Sequence, residues 1–435
     1  MSKRCLLVEC CPYHWEVLPD WVQLLQTLGH RVDVATDDTP GHQETRTLLD
    51  DDTVGWFDVE KLLELPLDDY DFVLLGTLIH EEYGLDLGAV PMPGMDLVER
   101  LGLPSLCVIH EPLSWTRKAP TASFDVFYPG GQTFLALYAD GSFYLPGDPW
   151  VEAPWRDEAG TLRVPMADRH RTFVSEDGGQ RYTSREDAVT LVRRPAPRID
   201  LAGFTASGRH RVLALSHAGR DLLAPSCPSA EWLMPLTIRP RPAVVDASPR
   251  PLVFAGQVDY DRKAIPSLID VARDEGERIL ILGGSRDEDF EGHAGIQRLR
   301  RDIARHGLED VFEFTGYLDY GEFRDQVARS RFIAPLIDPW VDGGAYLSKL
   351  PALVPLSLGF GVPLLLEESM ARHFGLDFMI TYPGTDLASG VRKIHQLDPQ
   401  QEEALRRRTL EEAERLHKHN LAVLARSIET ILSAG

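Results

Sequence analysis

Up to Pro120, near-continuous apolar runs of strand length alternate with stretches whose apolar residues recur at helical spacing. "KRCLLVEC" is followed by "WEVLPDWVQLLQTLGH", in which Trp15, Leu18, Trp21, Leu24 and Leu25 mark one helical face before Gly29. "HRVDVAT" then returns as a strand. "YDFVLLGT" and "PSLCVIHEP" are two more buried-type strands, the latter preceded by a helix over Met95–Leu101. Strands that stay apolar along their whole length, separated by helices, predict a parallel sheet covered on both faces.

The pattern changes between Phe124 and Arg198. "TFLALYADGSFYLPGDPW" reads as a hairpin turning at Asp140-Gly141, and the stretch after it is rich in Trp, Pro, Gly and charge. We read it as a β-rich insertion. "HRVLALSHAGRDLL" resumes the strand-to-helix pattern, and the proline-rich passage Pro235–Pro251 is the best linker in the chain. A second alternating region comes next: "PLVFAG", "IPSLIDVARDEG", "RILILGG", "IQRLRRDIARHG", "FEFTGY", "YGEFRDQVARS", "RFIAPLI", the segment Leu347–Phe360, "VPLLL" and "FMITY". Pro399–Ser433 reads as one or two charged amphipathic helices. The expected architecture is α/β with two Rossmann-like domains. Residues 1–235 form the first, with the insertion at about 124–198, and 236–250 the linker. Residues 251–400 form the second domain, and 401–435 pack back on the first.

Composition narrows the class of partner. The 435 residues are those of an ordinary globular protein, 43% hydrophobic and 26% charged. The net charge of −22 disfavours nucleic acid and anionic membrane. The basic clusters "RRPAPR", "RLRRDIAR" and "RRR" are short, and two of them read as solvated helix faces. No apolar run is long enough for a transmembrane segment, and "MSKRCLLVECC" has no signal-peptide layout, which predicts a cytoplasmic protein. The five cysteines lack metal-like pairing and fall mostly in apolar strands, as reduced, buried thiols do.

Ligands of doubly wound sheets bind beyond the carboxyl ends of the strands, so the residues just past each strand carry the candidate chemistry. "GQVDYDRKA" places Gly256, Arg262 and Lys263 near a helix start. They suit a phosphate, though two solvated charges in a first turn would look the same. Gly316 and Tyr317 come directly after "FEFT". "PLIDPWVDGGAYLSKLP" brings Asp338, Trp340, Asp342, Gly343, Gly344 and Lys349 into one long loop. Its glycine N–H groups and lysine can hold phosphate oxygens, and Trp340 can stack on a sugar or base. A Gly-rich turn with a structural proline is the alternative reading.

In this order the pieces resemble a known family. "FAGQVDYDRKAIPSLIDVA", "ILILGG", "LEDVFEFTGYLDYGEFRDQVARSRFIAPL" and "LSLGFGVPLLL" are similar to the nucleotide-sugar domain of GT-B glycosyltransferases, the family-four-like group especially. "LGHRVDVAT" and "VIHEP" are similar to the acceptor domain, and the last helices to the tail that crosses back. The resemblance covers most of the chain apart from the insertion. It implies that Arg262, Lys263 or both contact the donor diphosphate and that Tyr317 lies beside the base. It places His110 near the sugar with Glu111 as orienting group or acid/base, and Tyr13 and His14 on the acceptor side.

One departure is plain. Retaining members usually carry two glutamates eight apart, and counting back from "GVP" those places hold Ser348 and Leu356. "SKLPALVPLSLGFGVPLLL" looks like the version with "K-L-P", in which Lys349 balances diphosphate charge and Asp338 or Asp342 takes over sugar contacts. The expected activity is transfer of a sugar from a nucleotide-diphosphate donor, with neither cofactor nor bound metal. The acceptor is a saccharide, a small-molecule aglycone or a protein, and the insertion, with Phe143, Tyr144, Trp150 and Trp155, is the region expected to select it. The alternatives are a catalytically inactive nucleotide-sugar-binding or partner protein and, behind it, a GT-B nucleotide-sugar epimerase.

Overall fold

The computed structural model describes residues 2–11, 14–49, 53–78, 94–112, 115, 122–128, 131–137, 143–144, 156–158, 161–165, 170–175, 180–184, 188–193, 200–236, 238–239, 251–283, 290, 292–339, 346–347 and 349–434. Strands and helices are numbered along the whole chain. The apolar runs of the first domain form seven strands: β1 (Arg4–Glu9), β2 (Arg31–Thr36), β3 (Gly55–Asp58), β4 (Phe72–Leu75), β5 (Ser105–Ile109), β14 (His210–Ala214) and β15 (Glu231–Trp232). They pair in parallel in the order β15-β14-β5-β4-β1-β2-β3. Alternate residues of β1 serve opposite layers. Leu6 and Val8 join one core, while Cys5 and Leu7 join the other. That two-sided burial is why the run shows no polar alternation.

The helices of this domain are α1 (Leu18–Thr27), α2 (Pro40–Leu48), α3 (Gly94–Leu101), α4 (Leu201–Thr205) and α5 (His217–Leu223). Leu18, Trp21, Leu24 and Leu25 of α1 cover the Cys5/Leu7 face. From β1 the chain builds outward through β2 and β3, then returns to β4 and builds the other way. The topological switch point therefore lies between β1 and β4.

The insertion is an eight-stranded antiparallel sheet, with β6 (Ala122–Tyr128), β7 (Gly131–Leu137), β8 (Phe143–Tyr144), β9 (Arg156–Glu158), β10 (Thr161–Pro165), β11 (His170–Ser175), β12 (Arg181–Ser184) and β13 (Thr190–Arg193) in the order β8-β7-β6-β13-β12-β11-β10-β9. Phe124, Val126, Leu135, Leu137 and Phe173 contribute to its own small core. The hairpin read from "TFLALYADGSFY" is β7–β8, with Leu137 opposite Phe143. Its Asp140-Gly141 turn, Trp150 and Trp155 lie outside the described residues.

In the second domain β16 (Leu252–Ala255), β17 (Ile279–Leu282) and β18 (Phe312–Phe314) form one parallel set, and β19 (Leu365–Glu367) pairs with β20 (Ile380–Tyr382). "RFIAPLI", read as a strand, is reduced to a bridge residue. Ile333 pairs with Val253 on one side and Leu364 on the other, joining the two sets into one layer. The ladder stops there because Pro335 has no N–H to give and Leu336 adopts a φ of 54°. The helices are α6 (Pro266–Glu275), α7 (Ala294–His306), α8 (Tyr320–Arg329), α9 (Leu353–Gly359), α10 (Glu368–His373) and α11 (Leu387–His395). Here the order reverses between β16 and Ile333, which sets a second switch point.

Pro399–Ser433 is a single helix, α12, of 35 residues, started by a capping box between Asp398 and Gln401. Ala413 and Leu416 pack into the second domain, whereas Val423, Leu424, Ile428 and Ile431 pack on the Cys5/Leu7 face of the first. Between these halves the buried Asn420 accepts a hydrogen bond from the Met234 N–H at 3.1 Å and donates to the Met234 carbonyl. Among the described residues no helix is long and apolar enough to cross a membrane.

Candidate active site

At the first switch point the ends of β1, β4 and β5 bring four side chains together. His110 lies just past β5, and its Nε2 is 3.0 Å from the carbonyl of Gly76, just past β4. A carbonyl can only accept, so Nε2 carries the proton of the neutral ring and Nδ1 is left as the acceptor. Burial, reinforced by the charge of Lys349, pushes the His110 pKa down to about 4, although the Gly76 bond works the other way. His110 is therefore neutral near pH 7. His14 stacks on it with ring centroids 3.7 Å apart and planes within 6°, and the His14 Nδ1 lies 2.9 Å from the Thr77 hydroxyl. Adjacent residues of one turn, Gly76 and Thr77, thus hold both imidazoles.

Beneath them lies Glu9, the last residue of β1 and 0% exposed. Its Oε1 accepts the Cys11 N–H at 2.9 Å. Burial pushes its pKa up to about 8, against the pull of hydrogen bonds from Cys11, Thr77 and Cys10, and with a small further push from Asp37.

The second switch point holds the other candidates. Gly256 comes after β16 with a φ of 96°, a conformation that favours glycine, and a Cβ there would sit 3.1 Å from the Lys263 Nζ. Lys263 folds back over the strand end. Its Nζ is 3.4 Å from the Ala255 carbonyl and 4.8 Å from the centre of the Phe254 ring. Arg262 is more exposed and pairs loosely with Asp259 at 3.7 Å. Asp338 lies on the opposite side of the switch, 1% exposed, and accepts the Tyr382 hydroxyl at 2.6 Å. Burial, together with the nearby Glu367 and against the Tyr382 bond, pushes its pKa up to about 6. Among the described residues its second oxygen has no hydrogen-bond partner. Glu367 is spent locally, capping α10 through the Ser369 and Met370 N–H groups.

Contacts at two places join the domains at the cleft. Lys349 forms an ion pair with Glu111, the residue after His110. Tyr317, 37% exposed, donates its hydroxyl to Glu44 at 2.7 Å, and the other Glu44 oxygen accepts the Tyr320 N–H at the start of α8 at 2.9 Å. Tyr320 in turn donates to the Glu16 carbonyl at 2.8 Å and meets Trp15 edge-on.

The structure therefore brings His14, His110 and Glu111 together with Lys349, and Gly256, Arg262 and Lys263 together at the facing switch point. Tyr317 stands one strand end further out, on Glu44. Asp338 points its paired oxygen into its own domain. Tyr13, Asp342, Gly343 and Gly344 lie outside the described residues. Sequence reasoning missed Glu9, Thr77 and Glu44. Only Glu9 had left a signal, as a carboxylate inside an otherwise apolar run.

No family model matches the sequence, and no curated protein matches it either. Solved structures do. Anabaena HepE in complex with UDP-glucose superposes with a TM-score of 0.57 at 11% identity, over 100% of both chains. Sucrose-phosphate synthase from Thermosynechococcus elongatus gives 0.52 at 13% identity, again over 100% of both. An alpha-glucosyltransferase in complex with UDP and a 13-mer DNA gives 0.54 at 10% identity, over 99% of this chain and 100% of that one. At such identities the likeness shows the fold, the two facing Rossmann-like domains of the GT-B architecture.

Proposed function

We propose that the chain is a glycosyltransferase that moves a sugar from a nucleotide-diphosphate donor to an acceptor. The observation that carries the reading is the Lys349–Glu111 pair, which joins the second domain to the strand end that holds the His14–His110 stack. The stacked imidazoles of His14 and His110, the latter neutral, belong to one domain and the cations to the other, and Lys349 reaches across to Glu111. Lys263, Arg262 and Lys349 hold the diphosphate, and Tyr317 lies beside the base. Cations placed where the departing diphosphate gathers charge stabilise the transition state without a bound metal. His110 presents Nδ1 to a hydroxyl of the sugar or the acceptor, and its low basicity keeps that lone pair available near pH 7. The matching fold of HepE bound to UDP-glucose and of an alpha-glucosyltransferase bound to UDP supports this reading.

The acceptor is a saccharide, an aglycone or a protein rather than DNA. One structural relative is bound to DNA, but a chain of net charge −22 repels a polyanion. A cytoplasmic location belongs to the same proposal. A second reading, nucleotide-sugar binding without transfer, draws on one observation: Asp338, one of the two acids expected to replace the missing glutamates at Ser348 and Leu356, is engaged by Tyr382.

Incubation with UDP-, GDP- and dTDP-sugars, with and without an acceptor panel, separates the two. Transfer requires saturable binding with release of the nucleotide diphosphate. Saturable binding with no released nucleotide on any acceptor supports the second reading, and no binding at all sinks both.

A further inference from the structure

We propose that Glu9 is a positioning residue for the His14–His110 pair, its buried carboxyl clamping the end of β1 against the turn that holds both imidazoles. The inference rests on the reading of this cleft as the place of sugar transfer. Five contacts carry it. The Glu9 Oε1 takes the Cys11 N–H at 2.9 Å, which curls the chain after β1 toward His14. The Glu9 Oε2 lies against Gly76, so closely that a Cβ on Gly76 would be 2.4 Å away. Gly76 donates its N–H to the Val8 carbonyl at 2.8 Å and offers its own carbonyl to His110 at 3.0 Å. Thr77 takes His14 at 2.9 Å. The carboxyl fills the space between β1 and β4 from which both rings are hung.

A carboxyl in a fully apolar strand run is costly unless it is neutral and bonded. The groups that face it agree with a neutral form. Cys10 and Cys11 come from its own strand end, Asp37 from the end of β2 and Thr77 from the end of β4, the turn that also holds His14 and the neutral His110. Burial keeps the proton on Glu9 up to about pH 8. Above that pH a bare carboxylate with no facing cation among these groups forces the turn to rearrange, and the imidazoles with it.

Glu9→Gln keeps shape and hydrogen bonding and cannot ionise; Glu9→Leu keeps only bulk; Thr77→Val cuts the His14 bond and also removes the Thr77 hydrogen bond to Glu9. The readouts are the imidazole ¹⁵N shifts of His14 and His110 across pH 6–10, Kd for UDP, and kcat and KM for the donor. Wild type should lose the Nε2–H tautomer signature of His110, and at least ten-fold in kcat, as pH passes about 8. Glu9→Gln should hold both to higher pH. Glu9→Leu should lose ten-fold or more in kcat at pH 7 with the Kd for UDP unchanged, and Thr77→Val should move the His14 shifts and, with a hydrogen bond to Glu9 gone, raise the pH of the alkaline transition. A Glu9→Gln protein that keeps the wild-type alkaline transition overturns the proposal, and it does so even where Glu9→Leu fails to fold. Because the imidazole shifts need no turnover, a wild type without transferase activity refutes the function while leaving the positioning claim to be judged by the shifts.

Discussion

Lys349 of the second domain is ion-paired with Glu111 of the first, directly beside the His14–His110 stack. Both side chains are about one-third exposed, at 34% and 39%, so the pair is partly screened and worth about 1 kcal/mol or less. On the proposed function, a donor diphosphate entering the cleft draws Lys349 away from Glu111. Lys349→Ala should therefore weaken UDP binding by about 1–2 kcal/mol, the usual charge-assisted contact reduced by exposure. Glu111→Gln should tighten it a few-fold at low salt, with the gain fading as salt screens the cleft. Calorimetric titration at two ionic strengths decides it, and unchanged affinity in Lys349→Ala would remove that residue from the site.

His110 makes a separate claim about pH. Its folded pKa of about 4 lies below the ordinary value of 6.5, so the unfolded chain takes up a proton first as pH falls. The stability this group contributes is complete above 6.5 and is lost between 6.5 and 4, a slope worth of order 1–3 kcal/mol. His110→Asn should flatten the Tm-against-pH curve in that window. A slope identical to wild type would show that other groups carry it.

Gly295, in the first turn of α7, is packed against the turn that leads from β16 to Lys263. A Cβ there would be 1.9 Å from the Val258 carbonyl oxygen. Gly295→Ala should cost about 1–3 kcal/mol of stability despite the better helix propensity of alanine, and UDP affinity should fall with it. Gly307 ends the same helix at φ 65° in open space. Gly307→Ala should cost about 1–2 kcal/mol through backbone strain alone and leave UDP affinity untouched. Denaturation and titration on both variants separate the two effects.

Asn420 satisfies the Met234 N–H and carbonyl, both buried. Asn420→Ala leaves both unpaired and should destabilise the chain by about 2–4 kcal/mol in urea denaturation. A loss below about 0.5 kcal/mol would mean that Met234 finds other partners there.

Much of the fold is legible in the sequence. The strand runs are readable because parallel strands buried on both faces leave no polar interruption, and α1 because Trp15 to Leu25 keep one helical face. His110, His14, Gly256, Lys263 and Lys349 stand out because each lies just beyond the carboxyl end of an apolar run, where a doubly wound sheet opens to its ligand. Pairing is what escapes. Lys349 and Glu111 both stand out singly, yet their meeting depends on how two domains face each other, which no local pattern encodes. Asp338 was expected to reach for a sugar, whereas Tyr382, from a strand far along the chain, takes one of its oxygens. Glu44 sits on a polar helix and looks solvated. "RFIAPLI" has the composition of a strand, but Pro335 and the backbone of Leu336 allow only one bridge.

The unbroken α12 has a mechanical consequence. At 1.5 Å per residue it is a rod about 50 Å long, seated in one lobe at Leu416 and in the other from Val423 onward. The two lobes cannot simply drift apart along it. Any widening of the cleft has to swing about the short span between those seats, where Asn420 grips Met234, just ahead of the linker. The far rim then travels furthest, and the Lys349–Glu111 contact becomes the gauge of how far the jaw has opened.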